Sequence, residues 1–567
     1  MACKKRPLRR QSPLMSDPHA PIPPTPQGRI LEEPGTTPAP QPTKATSTWT
    51  PLGTPTFRLL WSVTLVANIC MWMNDVAAAW MMTSLTTSPV LVALVQTAST
   101  LPVFLLGLPS GALADILDRR RYFIFAQFWV AAVAVLLCVA LALDVMSAPL
   151  LLALTFANGM GMAMRWPVFS ALIPEVISKP LLPNAMALNA VAMNASRIIG
   201  PLLAGTLIAS AGTLWVFGLN AVLSVAAGFM LLRWQRAPTT NPLGRERLPS
   251  AMRVGLQFVK ESPRMRAVIA RTVAFFFMST AIMALLPLTA KRFDGVGFIS
   301  GAAVFTVLLA SMGAGAIVGA MFLPRIRQAL AGDVLILTGT CLQAASTIGV
   351  ALAPNLPLAI VCMMLAGLSL ISTANTLGVK AQMALPNWVR ARGMSAYQMS
   401  IMGGTALGAA LWGKVASLTS VPTSLMAAAA TGVLCMLIVQ RMFTDRQVLE
   451  DLSPSKAWTP PRHSQPEEGR VVVHIEFIIN PAKAKRFRTL MQASRSSRIR
   501  QGALQWRLLH SMERPERYIE EIVDASWVEH LRRFDRVTAA DVALRERKLS
   551  FHVLDAPPHV TRYFESD

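Results

Sequence analysis

The sequence predicts an all-α membrane protein of twelve helices in two six-helix halves, followed by a small ferredoxin-like α+β domain. Three observations lead to this prediction. The 567 residues are 53% hydrophobic, the mean hydropathy is +0.45, and apolar runs of roughly 20 residues, the length that crosses a bilayer, follow one another along the chain. Most of the chain therefore requires lipid around it.

The apolar runs lie between residues 57 and 442, and Pro residues separate several of them, as at Ser88-Pro89 and Ala148-Pro149. We place the spans at 57–83, 89–114, 121–143, 149–172, 183–209, 214–234, 267–289, 297–322, 333–352, 358–380, 393–416 and 422–442. Gly319 to Arg327 follows the eighth span as Gly111 to Arg119 follows the second. This repeat predicts two six-helix bundles, 57–234 and 267–442, joined by a basic linker loop at 235–266.

The two ends of the chain differ from its middle. Residues 1–56 are rich in Pro, Ser, Thr and Arg, so we expect a disordered tail. After a linker at 443–470, residues 471–567 alternate in pattern and predict strand, helix, strand, strand, helix and strand. We place these elements at 471–479, 481–498, 503–509, 517–523, 526–548 and 559–564.

The formal net charge of +23 does not indicate a nucleic-acid partner, because the basic residues lie beside apolar runs and in the two ends of the chain. Alternate loops carry the Lys and Arg residues, which predicts a multi-pass protein of the cell inner membrane with both termini cytoplasmic. We expect the basic loops to contact anionic membrane lipids. The six cysteines have no metal-type spacing, so we expect no metal site and no disulfide framework.

A charged loop follows the second span. Gly111, Asp115, Arg119 and Arg120 have the spacing found between the second and third helices of the major facilitator superfamily, which this loop resembles. The resemblance implies the twelve-helix major facilitator fold and a loop that latches and releases helical hairpins. Two positions depart from the usual signature, Ile116 and Asp118, and the bland alternative is a topology anchor.

Asp75 is the most informative ionisable residue of the predicted spans. A charge inside the bilayer costs at least about 2.5 kcal/mol, so each one needs an explanation. A carboxylate buried inside the bilayer can exchange a proton, as proton-coupled transport requires. The alternative is a residue near the outer surface that touches water.

Arg197 lies near the middle of the fifth span and needs an anionic partner, a polar cavity or a substrate. Asp75 is a candidate partner. Asn189 and Asn194 fall on nearby helical angles and predict a polar stripe with Arg197, although polar residues also hold helices together. Arg165, on the fourth span, is expected to reach the lipid headgroups, and contact with a substrate is the alternative.

Gly200 and Pro201, with Gly205, predict a fifth helix that bends or lets another helix pack closely. The placement is similar to the Gly-Pro motif of drug-exporting antiporters of the superfamily. The resemblance implies export, whereas a purely structural kink is the alternative.

The run from Asp524 to Thr538 resembles the C-terminal extension of the transmembrane secretion effector group of this superfamily, and the similarity extends over nearly all of the chain except residues 1–56. That group includes exporters of the catecholate siderophore enterobactin. The resemblance implies secondary active efflux of small organic molecules, siderophore-like or drug-like, by proton antiport. No Gly-rich phosphate loop is present in the sequence, so we expect neither ATP drive nor a bound cofactor.

The extension looks like the small antibiotic-biosynthesis monooxygenase fold, whose members often dimerise. An alternative function is therefore a membrane-anchored, cofactor-independent monooxygenase. No activated nucleophile is evident in the sequence, so we expect no enzyme, and a binding or dimerising module that regulates transport is the third interpretation.

Overall fold

The computed structural model describes residues 49–177, 181–234, 248–293, 301–386, 388–443, 451–455 and 469–565. The tail expected at 1–56 and the linker expected at 443–470 lie mostly outside the described residues. Of the tail, 49–56 is described, and Thr50–Gly53 forms a short 3-10 helix ahead of the first long helix.

Twelve long helices form the region between residues 55 and 442, as predicted. The first six are α1 (Pro55–Leu85), α2 (Pro89–Ile116), α3 (Arg119–Ala142), α4 (Ala148–Val176), α5 (Leu182–Ala211) and α6 (Thr213–Leu232). After α7 (Leu248–Glu261), the second six are α8 (Pro263–Lys291), α9 (Gly301–Ala329), α10 (Gly332–Leu352), α11 (Leu356–Met383), α12 (Arg390–Leu418) and α13 (Val421–Met442). Among the described residues, ten helices are long and apolar enough to cross a membrane, and α4 and α12 complete the twelve.

Proline residues start several helices where the sequence predicted breaks. Pro89 in α2, Pro149 in α4 and Pro357 in α11 stand at the first positions of their helices. A Pro costs nothing there, because the first backbone N–H groups of a helix have no partner within the helix. The apolar runs therefore become separate helices with short connections.

The helix α7 corrects the sequence-based assignment of residues 235–266 to a loop. Its start at Leu248 follows residues outside the described part of the chain, and it ends at Glu261. Val254 and Phe258, one turn apart, are buried, while Leu256 is exposed. Basic residues obscured this amphipathic pattern in the sequence, and the short apolar face makes α7 a surface helix that packs against α12 and α8.

The C-terminal domain has the predicted ferredoxin-like topology. Its strands are β1 (Val471–Ile478), β2 (Gln505–His510), β3 (Arg517–Asp524) and β4 (His559–Phe564). They form one antiparallel sheet in the order β2-β3-β1-β4. The helices are α14 (Ala484–Arg500), α15 (Trp527–Asp535) and α16 (Ala539–Leu549).

The prediction of a single helix at 526–548 was wrong, because the helical conformation is interrupted between α15 and α16. Thr538 is the N-cap of α16 and exchanges hydrogen bonds with Asp541 in a reciprocal capping box. Such a cap satisfies backbone N–H groups that a continuous helix would leave to the preceding turn. The sequence therefore encodes a second helix start inside the predicted helix.

Candidate functional site

The two six-helix halves contact each other along an interface. We call the side of the helical region that carries α7 and the C-terminal domain the domain side, and the opposite side, where α1 and α8 end, the far side. On the far side Lys291 Nζ donates to Thr83 O at 2.5 Å, and the rings of Trp80 and Phe305 stack with centroids 5.5 Å apart. The halves therefore contact each other at the far side.

Asp75 lies in the second half of α1 and is half-buried, between the buried residues Asn74 and Val76. Among the described side chains, none forms a hydrogen bond or an ion pair with its carboxylate. A carboxylate without a cation inside a helical bundle is costly as an anion and is easily neutralised by a proton.

Arg197 reaches the neighbouring turn of α1. Its guanidinium carbon lies 5.4 Å from the ring centroid of Trp72, a cation–π contact. Within the described part of the chain no ion pair joins Arg197 to Asp75, so the expected partnership is not formed in this structure. Because Trp72 and Asp75 are three positions apart on one helix, the structure nevertheless places the two charged groups on adjoining parts of the α1/α5 interface.

The predicted polar stripe on α5 is described only in part. Asn189 is half-buried on α5, and the side chain of Asn194 lies outside the described residues. Elsewhere on the same interface, Asn68 Nδ2 of α1 lies 3.1 Å from Met193 Sδ, and Trp61 Nε1 donates to Leu188 O at 3.1 Å. Polar atoms thus line much of the α1/α5 contact.

The glycines of the fifth helix stand at close approaches. A Cβ added to Gly200 would lie 2.5 Å from Trp72 Cβ, and one added to Gly205 would lie 2.3 Å from Thr306 Oγ1 of α9. Pro201 lies inside α5 between them. Gly200 therefore lets α5 approach α1 within one half, and Gly205 lets it approach the other half.

The charged loop after α2 connects helices of the first half. The surroundings of Gly111 and the side chain of Asp115 lie outside what the structure describes, although both positions belong to α2. Asp118 caps α3 by accepting from the backbone N–H of Arg121 at 2.9 Å. Arg120 donates to the backbone oxygens of Leu232, at 2.9 Å, and of Trp234.

This geometry explains one departure from the signature. Asp118 stands where a Gly is common, and here its carboxylate is an N-cap. Arg120 fixes the start of α3 to the end of α6 by bonding orphan carbonyls there. Arg119 is half-buried in the same turn.

Arg165 corrects the expectation that its side chain reaches the lipid headgroups. It is only 2% exposed, and among the described residues its guanidinium contacts Met162 Sδ, 3.7 Å from Nη1. Its Nε has no hydrogen-bond partner among the described residues. The sequence signal that was missed is Gly159 and Gly161, whose added Cβ atoms would meet α2 and α3 within 3.0 Å, so this stretch of α4 is packed on several sides.

The C-terminal domain is docked on the domain side. Gln257 Nε2 of α7 donates to Ala503 O at 3.4 Å, and Ser496 Oγ of α14 donates to Glu261 Oε2 at 3.1 Å. The guanidinium of Arg536 lies 5.4 Å from the ring centroid of Trp388, just before α12. The domain thus contacts both the helix that joins the halves and the start of a helix in the second half.

A buried charge network lies inside this domain. Glu520 is 0% exposed and accepts from Lys548 Nζ at 2.9 Å and Ser494 Oγ at 2.7 Å. Burial by itself raises the pKa of Glu520, but Lys548, Arg498 and the hydrogen bonds outweigh it and hold the pKa below its usual range. Glu520 is therefore charged in the folded domain.

The His, Cys, Asp and Glu side chains of this domain bear on the monooxygenase interpretation. Among the described residues no group of three or more His, Cys, Asp or Glu side chains is placed to hold a metal ion. His530 Nδ1 is 2.8 Å from Asp524 Oδ2, which itself pairs with Arg533 at 2.7 Å. The monooxygenase interpretation stays a prediction.

The sequence of this chain is similar to those of known proteins. The family described as transmembrane secretion effector matches residues 46–567. The chain is 24% identical over 407 residues to the enterobactin exporter EntS of Shigella boydii serotype 4 (strain Sb227), covering 71% of this chain and 96% of that exporter. EntS of Escherichia coli O6:K15:H31 (strain 536 / UPEC) is similar to the same extent.

Solved structures share the fold of the helical region. The nucleoside transporter NupG matches with a TM-score of 0.56 at 12% identity, over 69% of this chain and 100% of that one. A POT family transporter in complex with 5-aminolevulinic acid matches with a TM-score of 0.57 at 13% identity, over 69% and 96% of the two chains. At these identities the likeness is one of fold.

Proposed function

Since the chain belongs to the transmembrane secretion effector family of the major facilitator superfamily, we propose that it expels small organic molecules in exchange for protons. The observation that carries this proposal is the half-buried carboxylate of Asp75, which lacks a cationic partner among the described residues. Asp75 lies one helical turn from Trp72, whose ring contacts the guanidinium of Arg197. Proton binding at Asp75 would then be linked to substrate movement along the α1/α5 interface.

In this proposal Arg197, Asn189 and Asn194 face the substrate path, and Arg165 adds a second buried cation to the first half. Gly200 and Gly205 let α5 lie close against α1 and α9, because neither glycine places a Cβ at the contact, and Pro201 gives α5 a point at which it can bend. The loop with Gly111, Asp115, Arg119 and Arg120 holds the helix ends in one of two arrangements.

The relatives named above export enterobactin, and we propose a siderophore-like or drug-like substrate for this chain as well. We further propose that the protein lies in the inner membrane with both termini cytoplasmic, so that the domain side faces the cytoplasm. The contacts of Lys291 with Thr83 and of Trp80 with Phe305 then form a periplasmic gate in the closed position.

Everted membrane vesicles containing the full-length chain test the proton step. With an acidic lumen, we expect the unmodified protein to accumulate substrates from a panel of siderophores and hydrophobic drugs. Asp75→Asn should lower pH-gradient-driven accumulation at least tenfold, because the side chain can no longer carry a proton.

Asp144→Asn is the matched control, since Asp144 is an exposed carboxylate between α3 and α4 and its positive φ of 55° is one that Asn also adopts. Its accumulation should equal that of the unmodified protein. Unchanged gradient-driven accumulation in Asp75→Asn would overturn the assignment of the proton to this residue.

The docked C-terminal domain supports a second role, regulation of transport. Its contacts with α7 and Trp388 span the linker between the halves and the start of α12, and both must move when the halves rock. A short thiol cross-linker between Glu261→Cys and Ser496→Cys, whose native side chains meet at 3.1 Å, should reduce efflux reversibly, while each single Cys variant should not respond. Full efflux in the cross-linked protein would argue against this role.

A further inference from the structure

The C-terminal domain contains a cavity of about 360 Å³ between its sheet and its helices. This volume falls within the range of pockets that hold small organic ligands, roughly 300–1,000 Å³. Apolar side chains from the sheet form one wall, namely Val473, Ile475 and Phe477 of β1 and Ile522 of β3. These residues share one face of the sheet, because side chains alternate along a strand.

The charged lining of the cavity has a single sign. Among the described residues that line it there is no Asp or Glu, whereas the cationic or titratable lining residues are Arg498, Arg533, Arg545, Lys548, Arg562 and His530. The carboxylates that pair with part of this set, Glu520 and Asp524, lie on the same face of β3 as Ile522, but they are buried and are not among the lining residues. The charged groups that line the cavity are therefore cations.

Two of these cations can contact a ligand, Arg533 from a buried position with a free donor and Arg562 from an exposed position. The Arg533 side chain is 8% exposed, and its Nε has no partner among the described residues. Arg562 Nε contacts His530 Nε2 at 3.3 Å, a ring nitrogen that bears no negative charge. A buried donor without an acceptor is rare in folded proteins, so an anionic oxygen from a ligand is the natural partner.

We propose that this cavity binds a small organic anion with a ring-sized apolar body. A carboxylate or phenolate of the ligand contacts Arg533 and Arg562, and its ring packs against Ile475, Phe477 and Val560. The cations make the site selective for charge, and the apolar wall makes it selective against inorganic anions. This inference does not depend on the transport mechanism proposed above.

The test uses the full-length protein in nanodiscs and the anion 1-naphthoate as the probe, measured by isothermal titration calorimetry against empty nanodiscs. The neutral amide of the same ring, 1-naphthamide, is the matched probe. We expect 1-naphthoate to bind saturably and at least tenfold more tightly than the amide. Equal affinity of the two probes, or no saturable binding of 1-naphthoate, would overturn the proposal.

Two variants locate the site. Arg562→Gln removes an exposed cation that donates to His530, so the domain should stay folded while 1-naphthoate binds at least tenfold more weakly. Arg547→Gln is the matched control, since Arg547 is an exposed cation of α16 outside the cavity lining. Val560→Trp, which fills the cavity from β4, should abolish binding. Unchanged affinity in both Arg562→Gln and Val560→Trp would place the bound probe elsewhere and refute the assignment.

Discussion

Removing the ammonium group from the buried pair in the C-terminal domain should destabilise that domain strongly. Lys548 Nζ lies 2.9 Å from Glu520 Oε2, and the two side chains are 4% and 0% exposed. Lys548→Met keeps the aliphatic stem but leaves Glu520 with Arg498, whose Nε is 3.6 Å away. Breaking a buried pair costs about 3–5 kcal/mol. Because Arg498 remains, we expect the lower end of that range.

Core amides exchange only when the domain opens. A loss of about 3 kcal/mol in the free energy of opening therefore makes their exchange roughly 100-fold faster, since about 1.4 kcal/mol equals a factor of ten. Hydrogen-exchange mass spectrometry of β1 and β3 peptides from the full-length protein measures this directly. Lys485→Met, at an exposed position of α14, is the matched control. The double variant Lys548→Met/Glu520→Gln should recover part of the protection because the unpaired charge is gone.

Less than tenfold faster exchange in Lys548→Met would refute the reasoning. So would a double variant that exchanges as fast as the single one, because the cost would then come from packing and not from a stranded carboxylate.

Three further predictions follow. The domain should lose protection against exchange as the pH falls. Burial lowers the pKa of His530 below its ordinary 6.5, and the ion pairs of Glu520 hold its pKa below 4.5, so the unfolded chain binds more protons than the folded one in both windows. Trp388→Leu should loosen the docked domain by about 0.5–2 kcal/mol through loss of the cation–π contact, seen as faster exchange in α7. Gly200→Ala should lower the free energy of unfolding by about 1–3 kcal/mol and impair efflux, because the new Cβ meets Trp72.

Matched variants accompany these predictions. Trp215→Leu, at a 64% exposed position of α6, should leave exchange in α7 unchanged. Gly218→Ala should be tolerated, since its added Cβ has ordinary contact with Cys138 Sγ at 3.9 Å. Equal effects of Gly200→Ala and Gly218→Ala would contradict the close-packing argument. For the acid prediction, protection that is constant between neutral pH and pH 4 would contradict the role given to His530.

The predicted helices were accurate where an apolar run is bounded by Pro or charge, as at Pro89 and Pro357. Prediction failed where a short amphipathic face is diluted by basic residues, as in α7, and where a cap interrupts an apparently continuous pattern, as at Thr538. In each case a few side chains decide where the helix begins or ends, and the number of apolar residues in the segment does not reveal them.

The sequence by itself determined the membrane class, the twelve helices, the two halves and the succession of strands along the C-terminal domain, because length, hydropathy and periodicity are local properties of the chain. The surroundings of each charge were decided only by the tertiary structure. Among the described residues, no carboxylate pairs with the buried Arg165 or with Arg197, which lies over Trp72, and Arg536 joins the domain to Trp388. The physical reason is that a charge is stabilised by whatever packs against it from other helices, and those neighbours are distant in the sequence.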